Sequence, residues 1–447
     1  TERICPFGIS LATLVSTPVP SSEAPKVEGG PMSPPEPTAE SIPTTLPKPA
    51  AGAPGVGSAL TPPAGPGPRP TPVSSSPAGG VLRIPACPVD IKTPLFNTLP
   101  MASGDYLAFR PLGWTSPPTH VFPAKHSNFA LALPGQTPPK KPVYSPGEIW
   151  LTEVNSTEYI GLNKTGYGIT FYPCREYKSY LGHLSDLSDK LLEAARSGNF
   201  KCNPQYQTGG TTVNTCRYEM VFKVEAGELI GYSGDAAGVD FGAVDFRIKP
   251  LVVANTASYM KEMLHYVSPV PYFTAEARAV LESRLASYDG TVKRTVEPKY
   301  GEYMQDILGT AQGNWFTGGL SLAIPFQQPE SFLALVHEYV DATLPIFSTG
   351  DSIKGLPVAV YGFKPVASGW VNRDFSQVRA DGVTYCYDSF LTGKSPGGIG
   401  LGNPRGLIIM TMPTDSSLRI EKQGSEGARC DGATTNTFTA NATVFDR

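Results

Sequence analysis

The segment that decides the fold of the central region is Val224-Glu-Ala-Gly-Glu-Leu-Ile-Gly-Tyr-Ser-Gly234, followed by Gly242-Ala-Val-Asp-Phe246. Valine, leucine, isoleucine and tyrosine supply strand-forming residues between the glycines. Gly227, Gly231 and Gly234 stand where a tight turn or the close approach of a second strand requires positive φ or the absence of a Cβ. The segment therefore predicts short strands joined by tight turns.

A second segment upstream, Tyr180-Leu-Gly-His183-Leu-Ser, completes a pattern with these two. The order resembles the lysostaphin/LytM family of zinc endopeptidases. In that family a Tyr-x-His-Leu segment, a glycine-containing strand pair and a final His-x-His-Phe strand build a small β-sandwich with a zinc cleft. The resemblance covers about residues 104–250 and implies a LytM-like β-sandwich in the middle third of the chain.

Most of the zinc ligands that the resemblance implies are replaced. Catalysis in the family needs zinc held by two histidines and one aspartate, with a fourth position open for water. At the closing strand, Ala243 replaces a proton-transfer histidine and Asp245 replaces a metal-binding histidine. The first motif best matches His126-Ser-Asn-Phe-Ala130, in which Ala130 replaces the carboxylate. We therefore expect no bound metal and no other cofactor.

The residual candidates for catalysis are His183, His126 and Asp245. Under an alternative interpretation, a divergent zinc peptidase uses these three residues, possibly with His120. Each histidine also has a purely structural interpretation, which for His183 is a ring held at a strand end. If the cleft binds a ligand without catalysis, the expected binding residues are Tyr180, His183, Tyr232 and Asp245.

Other chemistry finds little support in the sequence. Asp235, Asp240 and Asp245 form an acidic cluster, but their spacing matches no calcium-binding loop, so we expect solvated turn carboxylates. A glycine-rich phosphate loop, a serine nucleophile elbow and a helical His-Glu-x-x-His motif are all missing from the sequence.

The seven cysteines contain no Cys-x-x-Cys pair, which disfavours a zinc ribbon or a thioredoxin-like site. Disulfide bonds are the better interpretation, and they imply export to an oxidising compartment. Two cysteines flank a polar stretch in the layout of a stapled hairpin, and two lie in separate strand-like segments near the C-terminus. In chain order, the candidates are Cys87, Cys174, Cys202, Cys216, Cys386 and Cys430, with Cys5 as the odd thiol.

Charge and hydropathy exclude two classes of partner. The 447 residues carry 36 basic and 39 acidic side chains, a formal net charge of −3, so no basic field is present to hold nucleic acid. No apolar run approaches the roughly 20 residues of a membrane-spanning helix. We expect a secreted or cell-surface protein whose partner is a cell-wall peptide or glycan, another surface protein, or a copy of itself.

The composition changes along the chain. Residues 1–80 are dominated by Pro, Ala, Gly, Ser and Thr, which predicts an extended stalk or linker. The predicted LytM-like domain covers 81–255 and includes one helix, with apolar residues at 184, 187, 191, 192 and 195 on one face. A helical junction follows at 256–310, with a helix over 274–287.

The last region, 311–447, predicts an antiparallel β-barrel or sandwich closed by Cys386 and Cys430. Its opening Gly313-Asn314-Trp315-Phe316 is faintly similar to the Gly-x-Trp start of lipocalin-type barrels. The interior of such a barrel takes a small apolar ligand or is filled, with Trp315 as a packing plug. Strands are predicted at 314–317, 332–347, 357–363, 382–390, 406–412 and 437–445.

Together these observations predict a mainly β, non-catalytic extracellular or cell-envelope protein that binds or assembles through a peptidase-like domain without metal ligands. Two alternatives stay open. One is a divergent zinc endopeptidase acting on peptidoglycan or Gly-rich peptides. The other is a structural subunit of an extracellular filament or surface layer that inserts its N-terminal segment into a neighbour.

Overall fold

The computed structural model describes residues 3–4, 10–11, 83–208, 211–323, 331–431 and 437–447. Over these residues the protein is mainly β, built from antiparallel sheets, which confirms the predicted fold class. Two short strands, Arg3–Ile4 (β1) and Ser10–Leu11 (β2), pair with each other. The rest of the predicted stalk, including Cys5, lies outside the described residues.

The central region contains a ten-stranded sheet and a separate three-stranded sheet. Its strands are β3 (Ala108–Arg110), β4 (His126–Ala130), β5 (Pro142–Tyr144), β6 (Ile149–Tyr159), β7 (Lys164–Cys174), β8 (Tyr177–Leu184), β9 (Asp186–Leu187), β10 (Asn199–Cys202), β11 (Tyr206–Thr208), β12 (Thr211–Val224), β13 (Leu229–Tyr232), β14 (Gly238–Asp245) and β15 (Tyr266–Val267). The larger sheet has the order β10-β12-β6-β7-β8-β14-β4-β3, with β11 also on β12 and β15 also on β14. The smaller sheet has the order β5-β13-β9.

Strand β14 lies in the middle of the larger sheet and is buried along its whole length. Apart from two aspartates, its residues are small or apolar, so neighbouring elements can cover both of its faces. It pairs antiparallel with β8 on one side and with β4 on the other. Any polar side chain on β14 therefore needs partners within the fold.

Two of the three glycines in the opening segment adopt positive φ, as the sequence predicts. Gly227 has φ of 74° and Gly234 has φ of 119°. At Gly231 a Cβ would collide with the backbone carbonyl of Asp186 on the paired strand β9. Gly227 precedes β13, Gly231 lies within it and Gly234 follows it, and a residue with a side chain at any of these positions would strain the backbone.

The helix predicted around residues 184–195 is shorter than expected. Helix α1 spans Asp189–Ser197, with the Ser188 side chain accepting a hydrogen bond from the backbone N–H of Leu191. Leu184 and Leu187 lie in β8 and β9 instead. Ser188 caps the helix after these strands have ended, so the apolar spacing at 184 and 187 reflects strand packing.

The helix predicted over 274–287 is present as α2, Ala275–Ser283. It buries Ala277 and Leu281 against the core of the central sheet. Thr274 is the N-cap residue, although its side chain makes no capping hydrogen bond. The helix ends four residues before the predicted boundary.

The C-terminal region is a second ten-stranded sheet. Its strands are β16 (Gly313–Thr317), β17 (Leu333–His337), β18 (Pro345–Thr349), β19 (Ala359–Gly362), β20 (Tyr385–Tyr387), β21 (Gly393–Lys394), β22 (Gly400–Leu401), β23 (Leu407–Thr414), β24 (Ser417–Gln423) and β25 (Thr443–Asp446). The order is β20-β23-β24-β25-β16-β17-β18-β19-β22-β21, and the pairing of β19 with β22 is parallel.

This second sheet curls at β16. Residues Gly313 to Trp315 pair with β17, whereas Phe316 and Thr317 pair with β25. One strand thus belongs to both halves of the sheet, which fold over a shared core. The single strand predicted at 332–347 is in fact the hairpin β17–β18, and β24 was not predicted.

Trp315 lies at the centre of this core and is fully buried. Its indole N–H donates to the Ala311 carbonyl at 2.8 Å, and the Arg447 guanidinium lies 4.2 Å from the ring centre. Trp315 therefore packs within a filled core, as in the interpretation of this residue as a packing plug. A further apolar cluster, which includes Val121, Val244 and Phe332, joins residues of both sheets.

Three disulfide bonds are present, Cys87–Cys174, Cys202–Cys216 and Cys386–Cys430. They join all six candidate cysteines, including Cys202 and Cys216 on either side of the polar stretch. Such bonds are typical of extracellular proteins. In the part of the chain that the structure describes, no helix has the length and apolar character that spanning a membrane requires.

The disulfides should differ in their contribution to stability. The Cys87–Cys174 bond closes a loop with a sequence separation of 87, against 14 for Cys202–Cys216. On the chain-entropy model these correspond to about 4.6 and about 3 kcal/mol. We expect the double variant C87A/C174A to lower the free energy of unfolding, measured by urea titration, more than C202A/C216A does. An equal or reversed order would contradict the entropic account.

Candidate functional site

A row of polar residues crosses three neighbouring strands of the central sheet and ends at a glycine on the fourth. Arg110 on β3 pairs with Asn128 on β4, Asn128 pairs with Asp240 on β14, and Asp240 pairs with Gly182 on β8. Directly paired residues point to the same face of a sheet, and adjacent strands are about 4.8 Å apart. The register alone therefore brings Arg110, Asn128 and Asp240 together, although they are distant in sequence.

Asp240 is the centre of this row. One carboxylate oxygen, Oδ1, accepts a 2.8 Å hydrogen bond from the Asn128 side-chain amide and lies 3.3 Å from His126 Nδ1. The other oxygen, Oδ2, lies 3.3 Å from His183 Nε2. Asp240 is only 9% exposed. The prediction that it is a solvated turn carboxylate is therefore wrong, because Asp240 lies within a buried strand.

The backbone turns His183 toward the same face as Asp240. The register of β7 against β8 shifts between Leu181 and Leu184, and His183 has φ of 62°. Positive φ is unusual for a residue with a side chain, and such strain persists only where the surrounding structure imposes it. The bulge thus directs the imidazole toward two carboxylates.

The second carboxylate belongs to Asp235, in the turn before β14. His183 Nδ1 lies 3.5 Å from Asp235 Oδ2, and Lys164 Nζ lies 3.1 Å from Asp235 Oδ1. The ammonium group of Lys164 also donates to the Asp235 backbone carbonyl. Asp235 is buried, so the expectation of a solvated turn carboxylate is wrong here too. Its charge is balanced by cations within the fold.

These contacts change the pKa values of the acid and base groups. The Asp240 charge raises the pKa of His183 to about 10, against the opposing effect of burial. Burial alone would raise the pKa of Asp240, but His126, His183 and the Asn128 amide lower it below its usual range. Burial likewise opposes the lowering of the Asp235 pKa by His183 and Lys164. His183 is therefore an imidazolium at neutral pH, held between two carboxylates.

Two further histidines stay neutral. Burial lowers the pKa of His126, and it lowers the pKa of His120 to about 3. The two rings lie 5.4 Å apart, and both contact the Trp114 indole edge to face. His126 Nδ1 faces two acceptors, Asp240 and the Ser127 carbonyl, so the tautomer with its proton on Nδ1 fits the site.

The row forms part of the wall of a cavity of about 610 Å³, which we call the site cleft. Arg110, Trp114, His120, Asn128, His183 and Asp240 all line it. Tyr288 and residues 397–400, from the loop before and at the start of β22, also contribute to the wall. Sequence reasoning missed Arg110 and Asn128, because only the pairing of β3, β4 and β14 brings them to the cleft.

A second cavity of about 260 Å³, the strand groove, begins on the other side of His183. It runs over strands β6, β7 and β8, with Gly166, Gly168 and Gly182 among its lining residues. A Cβ at Gly168 would lie 2.5 Å from the Asn155 side chain, so glycine keeps this groove open. Asp235 and His183 line the strand groove as well, and His183 lines both cavities.

Asp245, the third residue of the predicted catalytic set, lies elsewhere. It is five residues beyond Asp240 on the same strand and therefore points to the opposite face. Its oxygens accept hydrogen bonds from the Arg247 guanidinium at 2.8 and 2.9 Å and from the Tyr272 hydroxyl at 2.8 Å. The structure brings His126 and His183 together around Asp240, and Asp245 is engaged in a separate buried ion pair.

The two predicted tyrosines have different positions. Tyr180 lines the strand groove, and its ring lies 6.3 Å from the His126 ring. Gly242 on β14 faces Tyr180 and leaves room for this ring. Tyr232 lies on β13 of the small sheet, where the Lys140 ammonium is 5.0 Å from its ring, and it lines neither cavity.

The chemistry of these groups does not fit a zinc site. Both nitrogens of His183 face carboxylates within 3.5 Å, so both are already engaged in contacts within the fold. The Asp240 oxygens are already shared among His126, Asn128 and His183. Within the described ranges, no group of three His, Cys, Asp or Glu residues is placed to hold a metal ion. The arrangement offers fixed charges and hydrogen-bonding groups to a ligand.

Comparison with known proteins adds one remote similarity. No family model matches the chain, and no curated protein matches it. Among solved structures, it is similar to a zinc-containing peptidase from Vibrio cholerae, with 17% identity over 34% of this chain and 37% of that chain. The chain thus spans little more than a third of that protein. The TM-score of 0.20 is too low to assign a shared fold.

The protonation of His183 can be measured directly. We expect NMR titration to show a His183 imidazole that stays protonated to a pKa of about 10, because Asp240 stabilises its charge. The variant Asp240→Asn should move this pKa downward toward 6.5. Asp374→Asn, at the separate His337–Asp374 pair, is the matched control and should leave the His183 signal unchanged. A His183 pKa near 6.5 in the unaltered protein would contradict this electrostatic account.

Stability should fall on mild acidification. The folded chain keeps His120 neutral down to a pKa of about 3, and burial lowers the pKa of His126 as well, whereas both protonate in the unfolded chain below about pH 6.5, so unfolding takes up protons on mild acidification. Each neutral histidine contributes a slope of up to about 1.4 kcal/mol per pH unit. In urea unfolding, H120Q/H126Q should show a shallower dependence on pH than the unaltered protein. Val121→Ala, which only removes buried methyl groups, should lower stability without flattening that slope.

Proposed function

We propose that the protein is an extracellular binding protein without catalytic activity, and that a peptide segment occupies its site cleft. The observation that carries this proposal is the His183 imidazolium, whose two nitrogens face Asp235 and Asp240. A ring held in this way has both nitrogens occupied, and we infer that it serves neither as a zinc ligand nor as a general base. It does present a fixed arrangement of charge to a ligand.

The shape of the two cavities supports a peptide as the ligand. The site cleft and the strand groove meet at His183, so a single extended chain can contact both. Glycines line the strand groove where a backbone must approach closely, and Asn155 and Thr157 supply hydrogen-bonding side chains. Pockets with few, well-placed polar groups of this kind are typical of ligand sites.

The expected location is the outside of a cell, which the three disulfide bonds support. There the candidate ligands are a cell-wall stem peptide, a glycan strand, or an exposed segment of another surface protein. We propose the peptide, because Gly166, Gly168 and Gly182 line the strand groove and let a peptide backbone approach the sheet closely. The structural-subunit alternative rests on residues 1–80 and gains no support from this cleft.

The first experiment blocks the groove. We expect Thr157→Trp to fill the strand groove and to weaken binding of pentaglycine or a peptidoglycan stem tetrapeptide at least tenfold, about 1.4 kcal/mol, as measured by calorimetry. Thr152→Trp is the matched control, since Thr152 lies on the same strand but lines a different surface cavity. Equal binding by both variants, or no binding of either peptide by the unaltered protein, would contradict the proposal.

The second experiment tests the zinc endopeptidase alternative. The purified protein is assayed for metal content and for cleavage of the same peptides, with and without added zinc. We expect neither stoichiometric zinc nor hydrolysis, because the site lacks three free donors. Tightly held zinc together with hydrolysis that disappears in His183→Ala would overturn the non-catalytic proposal.

A further inference from the structure

Arg110 is a buried cation in the wall of the site cleft. It lies at the end of the polar row on β3 and is 7% exposed. No carboxylate among the described residues comes within ion-pair distance of its guanidinium group. His183 and Lys164, the other cations near the two cavities, are both paired with Asp235, and His183 also with Asp240. A buried charge without a counterion is costly, so its position calls for an explanation.

Three aromatic rings surround the guanidinium group. The ring of Trp114 lies 3.9 Å from it, that of Tyr288 lies 5.0 Å from it, and that of Tyr339 lies 5.2 Å from it. Cation–π contacts stabilise the charge and fix the plane of the group. The Tyr339 hydroxyl also serves as a hydrogen-bond acceptor for the guanidinium group, whereas the buried Nε–H has no hydrogen-bond partner among the described residues. These three rings, which we call the aromatic cage, hold Arg110 in place but leave its Nε–H without an acceptor, which a bound ligand can supply.

The rings are themselves anchored to the rest of the cleft. The Tyr288 hydroxyl donates to the Ala132 carbonyl, and its backbone N–H donates to the Gly397 carbonyl at 3.2 Å. The Tyr339 hydroxyl donates to the same Gly397 carbonyl. Because these bonds fix the cage, little conformational entropy is lost when a ligand meets the guanidinium group.

We propose that Arg110 is a carboxylate-binding site of the site cleft, which receives the terminal or side-chain carboxylate of the bound peptide. This inference rests on the proposed function and names the ligand chemistry of the same site. A planar guanidinium group matches a carboxylate through two parallel N–H···O bonds. A single uncompensated positive charge suits a monoanion, and the nearby Asp240 disfavours a doubly charged phosphate.

The test compares peptides that differ in one charge. The probes are acetyl-tetraglycine with a free C-terminus, the same peptide as its C-terminal amide, and an amidated peptide in which one inner glycine is glutamate. We expect one of the two carboxylate peptides to bind about tenfold more tightly than the neutral amide. If it is the first, the site takes a chain terminus; if it is the second, the site takes a side chain.

Variants at position 110 test whether Arg110 causes the difference in affinity between the carboxylate peptides and the neutral amide. Arg110→Gln should bind all three peptides as the unaltered protein binds the neutral amide, and Arg110→Lys should restore only part of the difference, because lysine lacks the planar fork. Arg379→Gln, at an exposed arginine of the C-terminal region, is the control. An unchanged His183 titration in Arg110→Gln shows that the cleft remains folded. Equal binding of all three peptides by the unaltered protein would overturn the carboxylate site while leaving peptide binding intact.

If none of the peptides binds, the proposed function fails, and a smaller probe still tests Arg110. Sodium acetate is titrated while the Trp114 indole N–H signal, assigned with Trp114→Phe, is followed by NMR. We expect a saturable shift that Arg110→Gln abolishes, with inorganic phosphate at equal ionic strength acting more weakly. A shift that persists in Arg110→Gln, no shift at all, or tighter binding of phosphate would overturn the proposal.

Discussion

The candidate site depends on one buried carboxylate. Asp240 is placed in the middle of a fully buried strand, where an unpaired charge would be strongly destabilising. Its partners come from three neighbouring positions: Asn128 and His126 on β4, and His183 on β8. The bulge that brings His183 into reach also imposes an unusual backbone conformation on this residue. His183 lines both the site cleft and the strand groove, so this ion pair fixes a side chain that the two cavities share.

The protonation states of the three histidines around this ion pair differ from those that a metallopeptidase needs. A metallopeptidase needs neutral imidazoles with free lone pairs and an ionisable water. Here one histidine is kept charged by two carboxylates, and two others are kept neutral by burial beside Trp114. The charged ring of His183 lines both cavities. The neutral ring of His120 lines the site cleft, and that of His126 lies next to it. Such a division suits recognition of a polar chain, and it is the reason for proposing a binding protein.

Much of the fold follows from residue patterns, and the site follows from them only in part. The glycines at 227, 231 and 234, the short loop between Cys202 and Cys216 and helix α2 are local features, and the sequence predicts each of them, although α2 ends four residues early. To predict the site, one must decide which of two identical Val-Asp-Phe tripeptides, at 239–241 or at 244–246, supplies its aspartate. The resemblance to a peptidase motif favoured the second, whereas the strand register places the first in the cleft. Since the two aspartates are five residues apart, they point to opposite faces, and only the pairing partners reveal which face is functional.

Residues 397–400 form part of the cleft wall, and three of these four residues are glycine. A ligand that touches this part of the wall meets mainly peptide groups, whose chemistry is the same whatever the sequence of the protein. Discrimination between one ligand and another therefore depends on the side chains elsewhere in the wall, among them Arg110, Trp114 and His183. Redesigning the selectivity of this protein is accordingly a matter of those side chains, with the glycine loop left as a constant surface.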